Sequence, residues 1–430
     1  MDIFFSNITE ATQAFVQIAS IGTHIWPFIL PLMLFPLFMY IWMDHVIGKY
    51  ASSIPRVMLE IIPPKDIEKS PQLMEGLFDG LAGTDKGYMI FDSHIRGEIP
   101  PTFSFEVVGS EGRVHFYIRT PVSFRNLIEA HLYAQYPDVE IVEVEDYVNE
   151  VPKSVPNKDW NLWGTDMELV KADAFPIKTY HFFEESVTGK MMDPLAGLIE
   201  VIAKLPPGQK IWLQYIISPE RATWNTKEGK AVVDEIVKGK KEKAPSVSSQ
   251  VASHLGDIFG SVARGVVGAP APEEKKKDAK DLGPIEFRLT PVQRKVLEAV
   301  EANIGKNAFR VKMRVMYLGR RENYNAGSFL QAIFGAIIKP YSDVNFNGLK
   351  PYDPTKTSTE YIFMKSRLLY LQRRLFRRYR DRDRYPMENV FVLSTSEMAT
   401  LFHLPDGSVI SPALSRVAAK RSVGPSNLPL

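Results

Sequence analysis

The strongest pattern in the chain is an apolar run near its start. Ile25 to Met43, IWPFILPLMLFPLFMYIWM, is 19 residues without a charge. At the helical rise this covers about 28 Å, close to the hydrocarbon thickness of a bilayer. The run predicts a single transmembrane helix over residues 21–46. Trp26 at one end and Tyr40 and Trp42 at the other are placed as interfacial anchors. Pro27, Pro31 and Pro36 predict a kink. A cleaved signal peptide would need a basic start, but Asp2 and Glu10 precede the run and the first cation is Lys49. Lys49 and Arg56 follow it, so the positive-inside rule places the N-terminus outside and the remainder in the cytoplasm, at the inner membrane. Residues 1–20 carry Phe4, Phe5, Ile8, Phe15 and Ile18 as an amphipathic segment, to lie in the interface or against a partner subunit.

Past the anchor the periodicities alternate between 2 and about 3.6. Residues 47–84 read as a juxtamembrane connector with a helix carrying Leu73, Leu77 and Leu81. A first module, 85–236, opens with TFSFEVVGSEGRVHFYIRTP, two alternating strands around a turn at Ser110 to Gly112. SFRNLIEAHLYAQYP then predicts a helix capped by Ser123, VEIVEVEDY a strand, and DPLAGLIEVIAKLPPGQKIWLQYIISP a helix, turn and strand. Residues 237–283 are charged and Pro/Ala-rich, a flexible linker around a weakly amphipathic helix with Val251, Leu255, Ile258, Phe259 and Val262. A second module, 284–405, begins with a helix capped by Thr290, with Pro291 first and Gly305 last. AFRVKMRVMYLG follows as a strand, then AGSFLQAIFGAIIKP as a helix with an extended segment behind it. The chain closes with the strand Val390 to Leu393, the short helix of STSEMATLFHLP, and a basic tail, 406–430. The expected fold class is α+β, an N-terminal transmembrane helix followed by two related β-α-β-containing cytoplasmic modules. The relation rests on an echo: SFRNLIEAHLYAQYPDVEI aligns by eye with SFLQAIFGAIIKPYSDVNF, each behind a strand.

Charge adds an asymmetry. From Pro284 onward there are 24 Lys and Arg against 12 Asp and Glu, and before it 28 against 38. An acidic first module and a basic second one have different partners, or are simply two soluble surfaces. With no cysteine, disulfides and thiolate metal sites are excluded. No GxxxxGK[ST] loop occurs; VTGKMMD lacks the leading glycine and the hydroxyl residue. GxSxG, HExxH and GxGxxG are also absent. His24, His45, His115, His131 and His403 are scattered, and nothing converges on Asp92 and His94. The sequence therefore predicts no enzyme activity, no cofactor and no metal.

The most unusual stretch is MKSRLLYLQRRLFRRYRDRDRYP. It holds Lys365, Arg367, Arg373, Arg374, Arg377, Arg378, Arg380, Arg382 and Arg384. Leu368, Leu371 and Leu375 form an apolar stripe beside Phe376 and Tyr379, so a packed helix with a basic outer face is predicted. The guanidinium fork suits phosphate and carboxylate, and Tyr370, Phe376, Tyr379 and Tyr385 are interleaved. Three readings stay open: an intrachain-paired or solvated face, a dock for an acidic protein, or a DNA-tracking surface that Asp381 and Asp383 weaken.

From Asn389 to Pro429 the order of strand, STSEMATLFHLP and basic SRVAAKRSVGPSNLP resembles the segment ahead of the motor in membrane-anchored coupling ATPases of type IV secretion and conjugative DNA transfer. The likeness is looser from residue 85 to 388. It implies an accessory protein holding a separate P-loop ATPase, and DNA, at the cytoplasmic membrane face, in an oligomer. ATP hydrolysis does not carry over, because the residues for it are absent. The tail from Leu401 would dock the ATPase through Arg416, Lys420 and Arg421. The alternatives are a scaffold of a cell-envelope or pilus assembly without nucleic acid, and an enzyme with a site of unfamiliar kind.

Overall fold

The structure is a computed structural model. It describes residues 30–65, 67, 70–89, 91–183, 192–220, 229–238, 289–358, 363–384, 389–407, 409 and 411–416. The amphipathic segment 1–20, Trp26, the linker from 239 to 283, and Lys420 and Arg421 lie outside these residues.

Helix α1, Leu30–Ser53, is the one described helix long and apolar enough to cross a membrane. Its 24 residues rise about 36 Å. It runs past the charge-free stretch, through Asp44 and Lys49, while residues 21–29 of the expected span lie outside the described residues. Leu32, Met33, Phe35, Leu37, Phe38, Tyr40 and Ile41 stand exposed along it. A contiguous apolar surface of that kind requires lipid or a partner.

Nine strands make one antiparallel sheet. They are β1 (Arg56–Ile62), β2 (Phe103–Ser110), β3 (Arg113–Pro121), β4 (Glu140–Val144), β5 (Trp160–Leu169), β6 (Gln209–Glu220), β7 (Ala308–Arg320), β8 (Leu349–Pro351) and β9 (Phe391–Ser394). Their order is β4-β1-β3-β2-β6-β7-β5-β8, with β9 on β7. With α2 (Ser70–Ala82) and α3 (Arg125–Gln135), strands 1–4 form a β-α-β-β-α-β run in the order 4-1-3-2. Strands 5–8 with α4 (Ala196–Ala203) and α7 (Ala326–Ile337) repeat that run and order. This is the ferredoxin-like arrangement, twice. The second strands of the two halves pair antiparallel from Phe103↔Ile217 to Ser110↔Lys210, so one sheet crosses the seam. The aligned stretches SFRNLIEAHL and SFLQAIFGAI fall on α3 and α7, which hold equivalent places.

The division of the chain differs from the expected modules. The connector 47–84 is not a tether: it supplies β1 and α2, whose Met74, Leu77, Phe78 and Leu81 are buried. Strand β6, expected in the first module, belongs to the second half. Strand β5 was not predicted at all. Both its faces are covered, so WNLWGTDMEL shows no clean alternation. The insertion between β6 and β7 brings α5 (Gly229–Lys238) and α6 (Pro291–Ile304), which pack on each other through Val232, Val233, Val296 and Val300. Thr290 caps α6 with a full capping box to Gln293.

Two local expectations resolve differently. The β2–β3 turn has Glu111 and Gly112 at φ 51° and 82°, as a two-residue hairpin of the twisted-strand type requires. Helix α3 begins at Arg125 behind a 3-10 turn, Val122–Phe124, and not at a Ser123 cap.

Each face of the sheet has its own core. Leu59, Phe105, Phe116, Leu213, Tyr215 and Val315 meet α2, α3, α4, α7 and α9 (Thr395–Leu401). The alternate residues Met58, Val108, Tyr117, Trp212 and Met316 meet α8 (Met364–Asp381) and the segment 147–155. The tail returns to the body: Val114 donates its N–H to the Ala413 carbonyl at 2.9 Å.

Candidate functional site

Helix α8 is the predicted arginine-rich helix, and its inner face explains how it is held. Leu375, Phe376 and Tyr379 are buried. Trp212 of β6 stacks on Tyr379 with centroids 5.3 Å apart and meets Phe376 at 6.4 Å. Gln372 donates to the Leu162 carbonyl at 2.6 Å. Gly164 of β5 lets the helix close on the sheet, since a Cβ there would lie 2.7 Å from Leu375 Cδ2 and 2.9 Å from the Val315 carbonyl oxygen.

Beneath the C-terminal half of α8 a polar row crosses the sheet. Register places Glu60, Tyr117, Glu106, Gln214, Arg314 and Asp166 opposite one another in successive strands. From Glu106 to Asp166 every member is fully buried. Arg314 Nε donates to Asp166 at 3.0 Å, and its other nitrogens reach the Arg378 carbonyl at 3.1 Å and the Asp383 carbonyl. Gln214 donates to the Tyr379 carbonyl at 3.2 Å. These donors satisfy carbonyls at the helix end, where a cation also complements the helix dipole. Lys312 pairs with Asp166 at 3.3 Å and donates to Asn389. Burial, first, and Arg314 lower its ammonium to about 8 against the pull of Asp166.

Arg382 completes the latch. It ends α8 in the left-handed region at φ 51°, uncommon for a side-chain residue. Its guanidinium donates to Glu106 from Nε at 3.0 Å and from an η nitrogen at 3.1 Å, and the remaining donors go to Asp146 and, at 3.0 Å, to the Arg380 carbonyl. Burial opposes the Glu106 carboxylate, but Arg382 and hydrogen bonds from Ser104 and Tyr147 outweigh it and keep this group below the usual glutamate range. Tyr147 and Tyr379 share a 2.7 Å hydroxyl contact beside it. Arg382 therefore faces inward and is no part of an outer docking surface.

The other predicted residues divide. Lys365, Arg367, Arg373 and Arg377 are exposed, and no acid pairs with them among the described residues. Arg374 lies over the Tyr370 ring at 5.8 Å, and Arg380 over Phe376 at 5.7 Å with a bond to Asn149. Arg378 is half-buried against the sheet. Arg384 turns to a different cavity, near the end of α1. An open groove of about 750 Å³ runs between α8 and the 153–155 segment, and brings Lys153, Tyr370, Arg373, Arg374, Arg377 and Arg380 together with Asp381. Lys153 was missed because it is remote in sequence and sits in an unpatterned loop.

Of the other predicted contacts, Tyr40 and Trp42 are exposed on α1, and Trp42 donates its indole N–H to the His94 carbonyl at 2.8 Å. Arg416 is occupied within the chain, donating to the carbonyls of Lys65, Asp406 and Val409 at 2.7–2.9 Å. The histidines engage locally, His115 with Glu60 at 2.6 Å and His403 with Asp193 at 3.0 Å. Among the described residues no group of three His, Asp or Glu is placed to hold a metal. The buried ionic row is the feature that sequence reading passed over. Its signal was present as charges at inward strand positions: Glu106 in FSFEVV, Asp166 in GTDME, Lys312 and Arg314 in VKMRV.

Comparison with curated proteins gives no match. A family profile described as Domain of unknown function (DUF8128) matches residues 49–416, which is the sheet, its helices and the Arg416 staple without the apolar part of α1. The chain belongs to this family of proteins with a domain of unknown function, DUF8128.

Proposed function

We propose that this protein is a membrane-anchored docking protein without catalysis of its own, which presents the outer face of α8 to an anionic polymer, DNA first, at the cytoplasmic membrane surface. One observation carries the reading. Lys153, Arg373, Arg374 and Arg377 border one open groove with the exposed ring of Tyr370, on a helix whose other face is latched by buried ion pairs. Cations with no paired acid among the described residues hold phosphates by displacing counterions, and an interleaved aromatic accepts a base. Rigid attachment means that little order has to be created on binding. Helix α1 supplies the anchor, and Lys49 and Arg56 behind it put the sheet in the cytoplasm. A separately encoded P-loop ATPase and an oligomeric assembly remain the partners that the conjugative resemblance implies. Lys420 and Arg421 of the tail are the cations left for contact with that ATPase.

The test is DNA binding by the full chain in detergent across a salt series. Wild type is expected to bind single-stranded or duplex DNA with affinity falling steeply in salt. Arg373→Gln, Arg374→Gln and Arg377→Gln together should flatten the log–log salt slope by about 3 with the melting temperature unchanged. Binding that is absent at low salt, or indifferent to the triple variant, would sink the reading. Recovery of envelope proteins alone after crosslinking in a near-native host would favour the scaffold.

A further inference from the structure

A second cavity, of about 970 Å³, lies where α1 meets the body, past the C-terminal end of α8, and shares Arg380 and Asp381 with the groove. One wall is the last turns of α1, including Asp44, Gly48, Ala51 and Ser52. The opposite wall is formed by Arg56 at the start of β1 and Arg119 near the end of β3, with Arg382 behind them. Arg56 and Arg119 sit on the same face of paired strands, where Arg56 is opposite Pro121 and Met58 opposite Arg119.

Both are half-buried, and neither has a hydrogen bond or an ion pair among the described residues. Burial, first, and then Arg382 and Arg56 push the Arg119 guanidinium down to about 10, and Arg56 is lowered for the same reasons by burial and Arg382. A cation taken out of water without an anion is costly. Among the described residues none of the lining acids forms an ion pair with either arginine: Glu220 holds Arg310, Asp85 accepts from the Gly87 N–H, Asp44 and Asp381 are exposed, and the half-buried Asp383 acts on Arg378. Asp146 and Glu106 attract Arg119 from behind, but both are held by Arg382.

The cavity's surroundings fix the kind of anion. Met89 and the segment Phe91 to Gly97 lean on α1. Trp42 donates to the His94 carbonyl, and Gly97, at φ 70°, passes so close that a Cβ would lie 2.4 Å from the Val46 carbonyl oxygen. From this segment Met89, Phe91 and Ile95 project into solvent beside the apolar stretch of α1. Exposed apolar side chains level with a tryptophan mark the depth at which a bilayer gives way to its headgroups. The arginine-walled cavity lies directly on the body side of that level, at the Asp44 to Ile54 turns.

We propose that this cavity binds the phosphate of an anionic phospholipid headgroup, with Arg56 and Arg119 as its two ligands. The site rests on the reading of α1 as a membrane span. The phosphate supplies the charge that the two arginines lack, and planar guanidinium forks suit its oxygens. The lipid then locks the sheet against the membrane at a fixed angle. A tether alone would leave that angle free.

The test uses the full chain in nanodiscs of phosphatidylcholine, with and without phosphatidylglycerol, read by thermal unfolding and by lipid retained after exchange into detergent. Phosphatidylglycerol should raise the wild-type melting temperature and remain bound. Arg56→Gln and Arg119→Gln should each weaken retention about tenfold or more. In pure phosphatidylcholine Arg119→Gln should be at least as stable as wild type, because it removes a half-buried cation that has no hydrogen bond or ion pair among the described residues. That result separates a lost ligand site from a misfolded variant. The Arg373, Arg374 and Arg377 variant should retain lipid normally. Equal stabilisation by inorganic phosphate in lipid-free detergent, with no added effect of phosphatidylglycerol, would assign the site to a soluble anion and overturn the lipid. Lack of response to either anion in a protein that stays membrane-integral would overturn the site itself. Extraction of the chain from membranes by carbonate would instead overturn the spanning role of α1.

Discussion

Arg382 shows how one side chain serves two levels of structure. It terminates α8 in a backbone conformation that arginine seldom adopts, and it closes a buried pair with Glu106. Removing one partner of such a pair leaves the other charge stranded, at a cost of about 3–5 kcal/mol. Arg382→Ala is therefore expected to lose that much in denaturant unfolding. The double variant Arg382→Met with Glu106→Leu should recover most of it. Glu397 makes a different prediction. Burial, first, drives its carboxyl up to about 7, against the hydrogen bonds from Ser394 and Ile177 that lower it. The folded chain then holds a proton that the unfolded chain, with an ordinary glutamate near 4.5, has released. Stability from this group is complete below pH 4.5 and lost as pH rises to about 7. Across that range wild type should lose about 3 kcal/mol relative to Glu397→Gln, measured by urea unfolding at pH 4.5 and pH 8.

At the scale of elements, α8 and the sheet are fitted by Gly164 and latched by the polar row. The added methyl of Gly164→Ala would meet Leu375 and the Val315 carbonyl oxygen. Overpacking of this kind costs about 1–3 kcal/mol. Loss of hydrogen-exchange protection should be concentrated in Met364–Asp381 and β5, with α2 and α3 on the opposite face unaffected. Exchange that rises evenly through the sheet would show that α8 is not a separable layer. The helix was readable beforehand because Leu368, Leu371 and Leu375 recur at helical spacing. Its latch was harder to see. Charges at alternate strand positions usually mark a solvated face, and only the docking of α8 buries this one.

For the whole molecule the decisive feature is the seam between β2 and β6. Eight residue pairs join two halves of identical strand order, from Phe103↔Ile217 to Ser110↔Lys210. Each half alone would expose the long apolar edge of its second strand, which invites pairing with other chains. Residues 47–150 expressed alone are accordingly expected to self-associate in size-exclusion chromatography. A well-folded monomer of that fragment would show the seam to be dispensable. The same continuity places the groove of α8 and the cavity beside α1 on one sheet.

Local chemistry is what the sequence determined by itself. The apolar run specifies a helix long and apolar enough to cross a membrane, with its leucines and phenylalanines exposed. The Glu111-Gly112 turn, the Thr290 and Ser394 capping boxes and the leucine stripe of α8 are all set by residues a few positions apart. The division into modules was not legible, because linker composition reports where the chain is unpatterned and not which strands pair. Strand β5, the seam, and the row from Glu106 to Asp166 join residues up to 208 positions apart, as in the Arg314-to-Glu106 span. Whether an arginine faces solvent like Arg373 or a buried carboxylate like Arg382 depends on where the sheet lies relative to the helix. Sequence supplied the charges; only the packed sheet decided which of them are already neutralised and which still await a partner.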